Sequence, residues 1–277
     1  MAIELVTKYA NIVDEKFKAE SRKSLITNND YEWNGAHTVS VYTVTTAPMN
    51  DYDRKGTQGG QSRYGEISGL DAPTEEMTLT KDRSFTFAID TLDDDETGGN
   101  MKASSALERQ IREIVIPEVD SYTYNVMCEE AGTKAAPVAL NKTNIYEKIL
   151  DGSNSLDNEE VPELGRILIV CPNTYTLLKQ SKDITMETDI GNEMRIRGVI
   201  GMIDGMMVIK VPAIRLPKKF GFLITHPRAT VAPTKLESYK IHKDPPGISG
   251  SLVEGRICYD TFVLYNKAKA IYYQGIT

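Results

Sequence analysis

The sequence predicts an α+β fold on three observations. Residues 103–131 carry Leu107, Ile111, Ile114, Val115, Val119, Tyr122 and Val126 at steps of three and four, the spacing of one helix face. The text on either side alternates polar and apolar residues with a period of two, or runs continuously apolar, as strands do. The 277 residues are 40% hydrophobic and 26% charged, a globular composition with length for about two domains.

The helix has the strongest pattern. Ser105 followed by Glu108 fits a capping box, which places its start near Ser104. Glu108 with Arg112 and Arg109 with Glu113 set opposite charges four apart on the wet side. At 1.5 Å per residue an unbroken helix would be about 40 Å long. Pro117 removes a donor from its interior and predicts a kink, and Gly132 is the expected stop. A helix this long reads as a spine against which separate parts of the chain pack.

The other elements follow in chain order. Residues 1–35 read as an arm with a short stripe of Tyr9, Ile12, Val13 and Phe17. Such a helix is marginal alone, so it docks on its own body or on a neighbouring copy; the sequence leaves both open. Residues 36–47 are β-branched, with Val39 and Val41 alternating against polar neighbours, and residues 83–90 place Phe85, Phe87 and Ile89 at a period of two. These two strands are expected to pair as the arms of a long hairpin, with the polar, Gly-rich residues 55–65 near its tip. A long hairpin leaves strand edges that invite a partner chain. Residues 90–99 are acidic. Asp93, Asp94, Asp95 and Glu96 could donate oxygens to a metal, but their spacing is not that of a calcium loop. The favoured reading is a solvated turn near the positive end of the spine helix.

Beyond the spine, residues 137–152 read as a short helix with Ile145, Ile149 and Leu150 on one side, and residues 151–163 as a polar link. Residues 166–171 form a strand buried on both faces, and Asn173 is placed to cap a helix carrying Leu177 and Leu178. Residues 181–197 read as a loop, 199–211 as two short strands about Asp204-Gly205, and 220–225 as another buried strand. Residues 236–277 return to strands, broken at 244–250, and their large side chains are expected to bury against the spine helix, with a separate small C-terminal sheet as the alternative.

The search for chemistry returns little. His37, His226 and His242 are not at metal-ligand spacing, and no His-Glu-x-x-His, Gly-x-Ser-x-Gly, Gly-Lys-Ser/Thr or dinucleotide fingerprint occurs. Cys128, Cys171 and Cys258 are far apart, without Cys-x-x-Cys, which points to a reducing compartment and buried thiols. A net charge of −7 argues against a nucleic-acid-gripping surface, and no run approaches a membrane span. The N-terminus does not read as a secretory signal. No catalytic, cofactor-binding or metal residue is assigned, and an enzyme is not expected.

The order of segments carries a resemblance. Residues 8–17 (KYANIVDEKF), 31–42 (YEWNGAHTVSVY), 82–90 (DRSFTFAID) and 107–122 (LERQIREIVIPEVDSY) lead. Residues 204–212 (DGMMVIKVP) and the DPPGISGSLVEGR and YDTFVL pieces of 244–264 follow. In this order and spacing the chain resembles the major capsid proteins of tailed bacteriophages, a fold shared with encapsulins. The resemblance implies an N-terminal arm (1–35) and an extended hairpin loop (36–90) reaching over an adjacent subunit. It also implies a peripheral domain of spine helix and C-terminal strands (91–134 with 236–277) and an axial α/β domain (135–235). It further implies self-assembly through hexamers and pentamers into an icosahedral shell around double-stranded DNA, built in the host cytoplasm and found in the virion. Scaffolding, portal and decoration proteins are its implied partners. An arm beginning almost at Met1 leaves no room for a fused scaffolding segment, so a separate scaffold, or none, is expected. Some relatives crosslink subunits through a loop Lys and a distant Asn; Lys55 and Asn266 match by residue type alone. An encapsulin-like compartment is the alternative, and an enzyme with an oligomerising loop the less favoured one.

Overall fold

The structure is a computed structural model, which describes residues 20–28, 30–31, 38–42, 45–56, 62–65, 69–96, 102–181 and 199–277. It divides into two units: Gly35–Thr78, and a larger one formed by Met1–Asn34 with Leu79–Thr277.

The smaller unit is a hairpin of β1 (Thr38–Tyr42) and β2 (Thr74–Thr78), paired antiparallel with Thr38 opposite Thr78 and Tyr42 opposite Thr74. This corrects the expected pairing of residues 36–47 with 83–90. Residues 83–90 are a strand, but they pair elsewhere.

In the larger unit, α1 (Lys23–Ile26) precedes β3 (Lys81–Asp90) and the short α2 (Thr91–Glu96) in sequence. Residues 90–99 are thus partly helical rather than a simple turn, and 97–101 lie outside the described residues. The spine follows as α3 (Ala103–Gln110), a π-helical turn (Ile111–Val115) and α4 (Ile116–Glu129). It starts at Ala103, next to the expected Ser104, but not with the expected capping box: Lys102 is the N-cap residue, with no side-chain cap. The response to Pro117 is also visible. Lacking an N–H, Pro117 cannot serve the carbonyl four residues back. The turn just before it widens, and the Ile116 N–H donates to the Ile111 carbonyl five back.

Next come β4 (Thr133–Ala135), α5 (Ile145–Asn158), β5 (Ile167–Val170), α6 (Pro172–Gln180), β6 (Val199–Ile203), β7 (Met206–Lys210) and β8 (Phe220–Thr225). The last strands are β9 (Thr230–Val231), β10 (Thr234–Lys243), β11 (Gly250–Tyr259), β12 (Phe262–Val263) and β13 (Ile271–Gly275).

A six-stranded mixed sheet runs in the order β4-β13-β8-β5-β7-β6. All four residues of β5 are buried because both faces are covered. Leu168 and Val170 pack with Ile145, Ile149, Leu156 and Tyr175 of α5 and α6. Ile167 and Ile169 pack with Tyr124, Met127 and Cys128 of α4 on the other face. Two expectations are corrected here. α5 continues through the residues read as a polar link, because Gly152 and Ser153 are buried and let it approach the sheet. A Cβ on Gly152 would lie 2.8 Å from Ile224. The cap of α6 is Cys171, not Asn173: its sulfur accepts the Thr174 N–H at 3.4 Å, and Pro172 takes the first helical position. Asp204 (φ 50°) and Gly205 (φ 70°) make the tight β6–β7 turn as expected.

A three-stranded antiparallel sheet runs β10-β11-β3, and β9 and β12 pair as a small ribbon. Ile257 and Tyr259 of β11 pack on Val115 and Val119 of the spine, with Phe85 and Tyr122 beside them. Residues 81–90 join β11 because both strands are ten residues long and their apolar faces register: Phe85 opposes Gly255, and Phe87 opposes Val253. The C-terminal β13, expected in the peripheral sheet with the strands before it, instead lies inside the six-stranded sheet between β4 and β8. The α4 exit makes this tight. Gly132 N–H donates to the Ala268 carbonyl at 2.9 Å, and a Cβ there would sit 2.5 Å from Ala268 backbone. Gly132 follows the helix end as expected, yet the requirement for glycine is this close approach.

Candidate assembly surfaces

The hairpin unit is ordered by its own hydrogen bonds. Beyond β1 and β2, Thr45 N–H donates to the Asp71 carbonyl at 2.9 Å and Asp71 N–H to Thr45 Oγ1 at 3.0 Å. Farther out, Asp53 N–H donates to the Arg63 carbonyl at 2.9 Å. The described pairs Thr38/Thr78, Thr45/Asp71 and Asp53/Arg63 share one antiparallel register. Near the far end the Tyr52 and Tyr64 rings meet edge to face at 5.0 Å, and Asp53 Oδ1 accepts the N–H groups of Lys55 and Gly56. The polar, Gly-rich stretch thus has local order wherever it is described; residues 57–61 and 66–68 lie outside the described residues.

This unit carries much apolar surface. Met49 is 97% exposed and Tyr64 78%, and Tyr42, Tyr52 and Leu70 are also exposed. A strand pair with large apolar side chains and an open edge gains most when another surface covers it. Sequence reasoning found the hairpin but named none of these side chains, since period alone does not separate a buried from an unburied apolar residue.

The larger unit presents Ile114 at the π-helical turn, 52% exposed although it belongs to the expected buried stripe. Of the two adjacent stripe residues in the π turn, Val115 is the one buried. Beside Ile114 lies a cavity of about 150 Å³ lined by Phe85, Val115, Val119, Ile257 and Tyr259 and rimmed by the Arg83–Glu118 ion pair at 2.7 Å.

The arm is described only from Glu20. There it docks on its own body: Ile26 is fully buried in the core, Asn28 N–H donates to the Thr230 carbonyl at 2.7 Å, and Ser21 Oγ donates to Asp120 at 2.6 Å. Residues 1–19, with the Tyr9–Phe17 stripe, lie outside the described residues.

Among the described residues the histidines and cysteines stand apart from one another. His226 Nδ1 accepts the Arg228 N–H at 3.2 Å, and burial lowers its pKa. His242 meets Glu254 at 3.2 Å on the exposed sheet, and His37 lies outside the described residues. Burial pushes the Cys128 thiol up to about 12, while Cys171 caps α6. Among the described residues no cluster of three or more His, Cys, Asp or Glu could hold a metal ion, and Asp93–Glu96 do not form one. Among the same residues no helix is long and apolar enough to cross a membrane.

No protein-family model and no curated protein sequence matches the chain. Solved structures do match along nearly its full length. One from Mycobacterium phage Che8 superposes with a TM-score of 0.79 at 16% identity, covering 98% of this chain and 96% of that one. The capsid structure of cyanophage P-SCSP1u gives 0.73 at 14% identity, covering 98% and 93%. A virus-like particle from Pyrococcus furiosus gives 0.55 at 12% identity, covering 92% of each chain. At such low identity the shared property is the architecture: this chain has the α+β fold found in phage capsid structures.

Proposed function

We propose that this chain is the major capsid protein of a tailed bacteriophage, assembling through hexamers and pentamers into an icosahedral shell around double-stranded DNA. The observation that carries this reading is coverage. The likeness to phage capsid structures runs through 98% of the chain, hairpin unit included, rather than through one shared domain. The exposed Met49, Tyr64 and Tyr42 of the hairpin support it, because they gain burial only against another surface. The net charge of −7 suits a container whose wall does not trap its DNA.

In this reading Gly35–Thr78 is the extended loop that lies over an adjacent subunit. The spine and the β10-β11-β3 sheet are the peripheral domain. The six-stranded sheet with α5 and α6 is the axial domain, to which β13 now belongs. The chain acts as a structural protein, not an enzyme. Scaffolding, portal and decoration proteins are its partners, and it is built in the host cytoplasm and resides in the virion. Lys55 and Asn266 are both exposed, as a crosslinking pair would have to be. The likeness to the Pyrococcus furiosus particle keeps an encapsulin-like compartment as the second reading.

The test is particle formation. Purified protein under assembly conditions is expected to elute as megadalton material and show closed shells by negative-stain microscopy. Deleting residues 53–69 removes the far end of the hairpin and is expected to abolish shells while the larger unit stays folded. A stable monomer or dimer from the intact chain refutes the proposal. Shells that pack a protein and exclude DNA in the producing cell favour the compartment.

A further inference from the structure

We infer that the His226 imidazole makes the docking of the arm root, residues 20–28, sensitive to mild acid: protonating the ring uncaps the 3₁₀ turn Pro227–Ala229, against which that segment is seated. The coupling lies within the larger unit and is independent of the capsid reading.

The ring is committed on both sides. Its Nδ1 accepts the backbone N–H of Arg228 at 3.2 Å and so caps the turn. A backbone N–H can only donate, so this bond requires an unprotonated Nδ1. The other side of the ring faces the link from α5 to β5. The Leu164 backbone hydrogen-bonds it, and Nε2 lies 3.5 Å from where a Cβ on Gly165 would stand. The neutral tautomer with its proton on Nε2 satisfies both neighbours. A second proton must go to Nδ1, where it meets the Arg228 N–H head on.

The surrounding charges oppose that second proton. Arg228 on its own turn, Arg166 on the α5–β5 link and Lys267 on the 3₁₀ helix Tyr265–Ala270 are the charged groups that act on the ring, and all are cations. The nearby acids of α5 and its exit are engaged elsewhere: Asp157 by Arg166 at 2.6 Å, and Glu159 by Lys269 at 2.7 Å. The Leu164 bond favours the charged ring, but burial and the cations outweigh it and hold the His226 pKa below its ordinary value of about 6.5. The stability this group contributes is therefore complete above about pH 6.5 and is lost as pH falls below that toward the folded-state pKa.

What the turn carries is the arm root. Ala229 is buried in the same core cluster as Ile26, and α1 lies against the turn. The next residue, Thr230, accepts the Asn28 N–H at 2.7 Å, and Asn28 bridges to Val231. The turn itself is closed by the Ala229 N–H on the His226 carbonyl at 2.9 Å. A turn that loses its cap therefore loosens the residues that receive Ile26 and Asn28. His226 is a positioning residue in this scheme, two steps removed from the segment it governs.

Hydrogen exchange read by mass spectrometry on the intact, unassembled chain tests this, at about pH 7.5 and about pH 5 with intrinsic rates corrected. In the wild type, protection of 20–28 and of 226–231 is expected to fall roughly threefold to tenfold at the lower pH, the range one lost hydrogen bond gives, with 167–170 unchanged. His226→Gln stays neutral at both values and offers an amide oxygen to the Arg228 N–H, so it is expected to keep its protection at both. His226→Ala is expected to show low protection at both. Asp120 and Lys23 also carry charge at the arm root, and the His226→Gln comparison separates them: an acid-induced loss that persists in this variant overturns the inference. Unchanged wild-type protection overturns it too, as does a loss confined to 226–231. If His226→Ala does not fold, the wild type and His226→Gln decide between these outcomes.

Discussion

The buried Arg215–Asp120 pair offers the sharpest energetic test. Its side chains are 4% and 2% exposed and meet at 2.7 Å. Solvent screening is therefore small, and a lone survivor cannot rehydrate without opening the core. Arg215→Met leaves Asp120 with the Ser21 hydroxyl, a neutral donor, as the other hydrogen bond drawn from this network. Breaking one side of such a pair costs about 3–5 kcal/mol. For a chain of this size that lowers the melting temperature by roughly 6–20 °C. The assay is thermal unfolding of the unassembled subunit followed by circular dichroism. The double variant Asp120→Leu with Arg215→Met removes both charges and is expected to recover most of the loss, because the desolvation cost of the remaining ion disappears. A single variant that loses under about 1 kcal/mol, or a double variant no better than the single, refutes the reasoning.

Three further outcomes are expected. Gly132→Ala places a Cβ 2.5 Å from the Ala268 backbone, where no side-chain rotation relieves it, so stability should fall by about 1–3 kcal/mol in urea melts. Leu156→Ala empties a fully buried site between α5 and the six-stranded sheet and should cost about 2–5 kcal/mol by the same measurement. Thiol labelling at pH 8 should modify the half-buried Cys258 first. Cys128, with its thiol pushed up to about 12 by burial, should label only on unfolding; comparable labelling of both in the native state contradicts this.

Much of the architecture was legible in the text. The stripe of 103–131, the ILIV run of β5 and the Asp204-Gly205 turn each state a local preference that the fold obeys. The hairpin unit was legible as a limb, but its partner strand was not. Residues 74–78 (TEEMT) carry no clear strand signal, since two adjacent glutamates hide a strand whose inward residue is Met77. The candidate surfaces were legible only in outline. Met49 and Ile114 look like any other apolar residues until the fold shows that nothing described covers them.

By itself the sequence determined many of the helices and strands, though not β2, α2 or the extent of α5, because period and turn chemistry act over a few residues. It also determined an acidic chain without recognisable catalytic motifs. The tertiary structure decided who pairs with whom: β3 with β11 rather than β1, and β13 inside the six-stranded sheet. It also decided that Tyr122 and Thr80, far apart in sequence, meet on one buried carboxylate. Local pattern is blind to these choices for a physical reason. Strand pairing and buried hydrogen bonds are settled by which distant surfaces match in length, shape and polarity once the chain collapses.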